Sequence, residues 1–117
     1  MDPLAWGQQE GQLAVDVLET RDVIIIRSAI AGVAPEDLDV NVTSDVVTIR
    51  GKRQAGESFS DATAHFEECF WGAFSRSIIL PNHIKPDESN ASIKNGVLIL
   101  TLPKARGEMK LKIKEEN

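Results

Sequence analysis

The sequence predicts an all-β chain folded as a sandwich of two antiparallel sheets, and three observations carry that prediction. Apolar residues recur with a period of two rather than 3.6. The apolar runs are rich in β-branched residues. Turn-forming pairs fall between the runs at hairpin distance. No segment shows the 3.6-residue apolar period of an amphipathic helix.

The elements follow in order. Leu13, Val15 and Val17 alternate with Ala14, Asp16 and Leu18, giving a first strand over 13–17. Arg21-Asp22 then turns the chain into Val23-Ile24-Ile25-Ile26, a run too continuous for a strand wetted on one face. Ala34-Pro35-Glu36-Asp37 reads as a turn or a single helical turn with proline at its first position. Leu38, Val40 and Val42 alternate with Asp39, Asn41 and Thr43, and Val47 and Ile49 follow across the tight turn Ser44-Asp45. Phe74, Arg76, Ile78 and Leu80 form another alternating face. The last pair, 91–94 and 97–102, is joined by Asn95-Gly96, whose residues tolerate the positive φ of a two-residue hairpin. About seven short strands punctuated this way make a sandwich.

One stretch breaks the rhythm. Residues 51–72 are polar and Gly/Ser-containing at first, then carry His65-Phe66-Glu67-Glu68-Cys69-Phe70-Trp71. A loop of some 20 residues inside a compact domain calls for a function or a partner. Its far end reads as a strand, with Phe66 and Phe70 as apolar anchors.

At 117 residues the chain has room for one domain. Thirteen basic and eighteen acidic residues, interspersed, give a net charge of −5, which offers no basic surface for nucleic acid or an anionic membrane. The single cysteine, Cys69, has no internal disulfide partner and fits a reducing compartment. Neither a signal sequence in the first dozen residues nor an apolar run of about 20 residues is visible. A soluble, cytoplasmic protein is expected. His65, Glu67, Glu68, Cys69 and His83 match no closed zinc spacing, and no nucleophile elbow or phosphate-cradling loop occurs. No metal, no cofactor and no catalysis are expected.

Ala91-Ser92-Ile93-Lys94-Asn95-Gly96-Val97-Leu98, followed by Leu102-Pro103-Lys104, closely resembles the A-x-x-x-n-G-V-L and L-P-K signature of small heat-shock proteins. Phe74-Ser75-Arg76-Ser77-Ile78-Ile79-Leu80-Pro81 resembles that family's F-x-R-x-f-x-L-P segment. Val15 to Thr20, Gly32-Val33, Glu36-Asp37-Leu38 and Thr48-Ile49-Arg50-Gly51 fit their places in the same order. Ala31 departs from the usual proline, and Ser89 from the usual apolar residue. The resemblance implies an immunoglobulin-like sandwich, the α-crystallin domain, over 12–104. A short N-terminal arm (1–11) and a C-terminal tail (105–117) flank it.

The resemblance further implies an ATP-independent chaperone, a holdase that binds partially unfolded client proteins, as a homodimer able to build a higher homo-oligomer. Its dimer interface would use Leu13, Val15 and Val17 on one side and Phe66, Glu67, Glu68, Phe70 and Trp71 of the swapped 57–71 segment on the other. Arg76 lies in phase with an apolar face, where a bare charge is costly. It reads either as an edge arginine with its head in water or as an interface arginine pairing with carboxylates of a second subunit. Leu38, Val40, Val42, Ala91 and Ile93 are expected to line a groove for tails or clients. Leu111-Lys112-Ile113 looks like the family's I-x-I tail motif, whose alternate side chains fill two pockets beside a sheet edge. The alternative is an adaptor of the CS-domain type docking on an ATP-dependent chaperone. Such domains usually lack the swapped strand and the tail motif.

Overall fold

A computed structural model of the chain describes residues 11–105 and 111–116. Residues 1–10, including most of the expected N-terminal arm and Trp6, lie outside the described residues. In chain order the strands are β1 (Gly11–Gln12), β2 (Asp16–Glu19), β3 (Val23–Ala29), β4 (Leu38–Val42), β5 (Val46–Arg53), β6 (Gly72–Ile79), β7 (Asn90–Lys94) and β8 (Val97–Pro103). They form two four-stranded sheets, ordered β1-β6-β5-β4 and β2-β3-β8-β7. The β1–β6 pair is parallel, and every other named pair is antiparallel. The expected sandwich is the observed fold.

Alternation builds the core. Ile24 and Ile26 of β3, Val47 and Ile49 of β5, Phe74 and Ile78 of β6, and Leu98, Leu100 and Leu102 of β8 are all buried between the sheets. Each such aliphatic side chain contributes about 1.5–3 kcal/mol by leaving water. Gly51 sits inside β5 because its cross-strand partner is Phe74, whose ring fills the place of a side chain. A Cβ at Gly51 would lie 2.5 Å from Phe74 Cζ. The strand therefore runs on to Arg53, beyond the expected Val47–Ile49 pattern.

The turns follow the local chemistry. Thr20 and Thr43 each open a two-residue turn and use their hydroxyl to accept the amide of Val23 or Val46, both at 3.1 Å. Each also donates its own amide to that residue's carbonyl, at 2.8 and 2.9 Å. Asn95 and Gly96 have φ of 53° and 76°, the left-handed pair that a two-residue hairpin with strand-matched twist requires. Pro35–Asp37 is one 3₁₀ turn with proline at its start, as expected. A second 3₁₀ turn, Pro86–Glu88, was not anticipated, although it uses the same proline-then-acid chemistry.

Two expectations need correction. The strand expected over 13–17 is two short pieces in different sheets. The Leu13 amide donates to the Ser75 carbonyl at 3.2 Å, prolonging the parallel pairing with β6. The chain then crosses to the second sheet, where β2 starts only at Asp16. Leu13 consequently belongs to the core, and the exposed edge is Asp16–Glu19. The second correction concerns the far end of the long loop. Residues 66–71 form no strand within the single chain and stand exposed.

Candidate functional site

Each sheet ends on a strand whose outer side is unpaired among the described residues, and the apolar residues singled out in the sequence gather around those edges. β4 closes one sheet and β7 the other. Between them a groove of about 190 Å³ is lined by Val40 and Val42 from β4, Ala91 from β7, and Leu100 and Leu102 from β8 as its floor. Pro86, Ser89 and Asn90 complete one end. Of the five expected groove residues, Val40, Val42 and Ala91 meet there. Leu38 and Ile93 sit at opposite ends of their strands and pack against the core.

Ser89 lies at the groove's end because it closes the preceding 3₁₀ turn. Its amide donates to the Pro86 carbonyl at 3.2 Å and its hydroxyl to the Lys85 carbonyl at 2.8 Å. Leu100 and Leu102 were legible as a buried strand but not as a groove floor. That role depends on β4 lying opposite them across the sandwich, which no local pattern encodes.

The second open edge is β2, where Val17 and Leu18 are about 40% exposed. The 54–71 loop carries Phe59, Phe66, Phe70 and Trp71, all exposed, with Phe66 at 86%. Phe70 nevertheless lies against Gly11, where an added Cβ would come within 2.7 Å of its ring. Glu67 and Glu68 are exposed and form no ion pair among the described residues. Leu111 and Ile113 stand clear of the groove, 76% and 94% exposed.

Within the chain Arg76 is not an edge arginine with its head wholly in water. Its guanidinium donates to the Leu13 carbonyl at 3.1 Å, part-buried, where the chain crosses between sheets. The charge on an apolar face is thus met by a backbone dipole rather than by a carboxylate. At the other end of the sandwich the chain is fastened as it leaves β8. The Lys104 amide donates to the Asp22 carbonyl at 2.9 Å, the Ala105 amide to the His83 carbonyl at 2.8 Å, and the Lys104 ammonium pairs with Glu19. Pro103 is likewise held by the Lys85 amide at 2.9 Å, next to the Pro86 end of the groove.

The Hsp20/alpha crystallin family matches residues 16–116, from the first residue of β2 into the tail. The chain belongs to the Hsp20/alpha crystallin family. Small heat shock protein C2 of Rickettsia felis is 33% identical over 89 residues, covering 76% of this chain and 58% of that protein. A 17.6 kDa class I heat shock protein of Arabidopsis thaliana is 34% identical over 97 residues, covering 82% and 63%. The solved structure of heat shock protein 16.0 from Schizosaccharomyces pombe superposes with a TM-score of 0.75 at 32% identity, over 90% of this chain and 77% of that one. The chain spans roughly three-fifths of the length of the curated relatives it matches. As a member of the Hsp20 family, it presents the family's sandwich with both lateral edges open.

Proposed function

We propose that the chain is an ATP-independent holdase that captures partially unfolded proteins in cytoplasm and keeps them from aggregating. The observation that carries this reading is the apolar groove between β4 and β7, flanked by two strand edges. An extended polypeptide fits such a place in one way. Its backbone pairs with a free edge while alternate side chains enter the slot formed by Val40, Val42, Ala91 and Leu100. Any unfolding protein offers such segments, so the surface selects for exposed apolar strand rather than for a particular sequence. An edge of this kind is ordinarily an aggregation hazard. Here it is the working surface.

The same physics assembles the protein. Residues 12–104 act as the sandwich domain, and the 57–71 segment of one copy adds as a strand to the β2 edge of another, making a reciprocal homodimer. Trp71 and Phe66 are covered in the process. In the 105–117 tail, Leu111 and Ile113 enter grooves and link dimers into higher oligomers through weak, reversible contacts. No metal, cofactor, nucleic acid or membrane has a part in this cycle, and no reaction is catalysed.

The test is to heat an aggregation-prone model protein with the chain in nucleotide-free buffer and follow light scattering. Scattering should fall as the chain approaches equimolar amounts, and adding ATP should change nothing. Protection that appears only with ATP would contradict the proposal.

A further inference from the structure

The outer faces of the two sheets differ in kind. On the β1-β6-β5-β4 sheet the outward ranks are largely polar: Asp39, Arg50 and Ser75 align across three strands, as do Asn41, Thr48 and Ser77. The other sheet turns Leu18, Ile25, Val97 and Ile99 outward, only partly covered. Ile25 belongs to the outward half of the continuous Val23–Ile26 run, whose pattern called for cover on both faces.

The β2–β3 ladder ends at the pair Asp16–Arg27, so among the described residues Ser28 and Ala29 have no strand partner on that side. Beside them a concavity of about 650 Å³ is lined by Ala14, Arg27, Ala29, Lys94, Val97 and Ile99. Along this border the outward residues therefore read apolar, charged, apolar in steps of two. Ala14 and Ala29 come first, then the Asp16–Arg27 pair, then Leu18 and Ile25. In the exposed loop, Phe66, Glu68 and Phe70 repeat that order with the same two-residue step.

We infer that the second copy's 66–70 segment docks on β2 with Phe66, Glu68 and Phe70 facing this outer surface. This inference rests on the strand-addition reading and adds its register. One phenylalanine covers Leu18 and Ile25, the other covers Ala14 and enters the Ala29 side of the concavity, and Glu68 meets Arg27. The order reads the same in both directions, so it holds for either strand polarity.

The charge geometry fits. Arg27 bonds Asp16 through Nε at 2.7 Å, and no second carboxylate pairs with it among the described residues. They lie two strand spacings, about 10 Å, from an added strand, a gap that an extended arginine and glutamate span together. Arg27 then stands between two carboxylates, which offsets the repulsion of Glu68 by Asp16. Phe70 exchanges its contact with Gly11 for the larger apolar surface.

Dimer dissociation constants from sedimentation of the full chain, R27Q, E68Q and the double variant test the register. Each single change should weaken the dimer about tenfold, and the double variant should be no weaker than either single one. A chain lacking residues 56–71, closed by a short Gly-Ser turn between the cross-strand partners Arg53 and Gly72, is run beside them. If this deletion is monomeric yet the two substitutions act additively or not at all, the register is wrong and strand addition stands. If the deletion still dimerises like the full chain, strand addition itself is wrong. Circular dichroism confirms that each variant keeps the sandwich.

Discussion

Arg76 shows how a single residue can announce itself in a sequence and still hide its role. Its phase among Phe74, Ile78 and Leu80 marks it as a cation on an apolar face. Its partner in the chain, the Leu13 carbonyl, lies 63 residues away and belongs to a crossover that no motif signals. Removing the guanidinium leaves that part-buried oxygen without its donor, so Arg76→Ala should cost about 1–2 kcal/mol of stability. The expected result is a lower urea midpoint with an unchanged slope. An unaltered midpoint would show that water replaces the arginine at no cost. Ser89 carries a related lesson. As a departure from the usual apolar residue it invites a reading about the groove. Its two bonds to residues 85 and 86 show that it also holds the preceding turn closed.

At the scale of elements, the hairpins were the most legible parts. Thr20-Arg21-Asp22, Thr43-Ser44-Asp45 and Asn95-Gly96 each carry their own turn chemistry, and alternation between them fixes which side chains face inward. Elements whose boundaries are set by distant partners were less legible. The break at 13–15 depends on Ser75, and the extension of β5 to Arg53 depends on Phe74 filling the space above Gly51. The 66–71 segment has strand-like alternation but pairs with none of the edges of its own chain, because a strand added from outside needs a second copy to supply the edge. The tail follows the same logic. Leu111 and Ile113 are almost fully exposed and contribute nothing to the core. Replacing both with alanine should therefore leave the unfolding midpoint unchanged and, on the proposed assembly, preserve the dimer and reduce larger species, as read by size-exclusion with light scattering. A fall in thermal stability would place these side chains in the fold instead.

The whole molecule is a sandwich whose centre is closed and whose margins are not. Its core is apolar and buried, and among the described residues no buried side-chain nitrogen or oxygen lacks a partner. Among the described residues the unmet demands gather at the margins: the β2 edge, the β4 and β7 edges with the groove between them, and the aromatic loop. On this account those margins are satisfied by other chains, by copies of the protein in its assemblies and by unfolding clients under stress. Amide hydrogen exchange, recorded on the protein alone and with a thermally unfolding client in nucleotide-free buffer, tests that claim most directly. The account predicts added protection on the open sides of β4 and β7, with the buried strands β3, β5 and β8 unchanged. Full suppression of client aggregation with no added protection along β4 and β7 would contradict it.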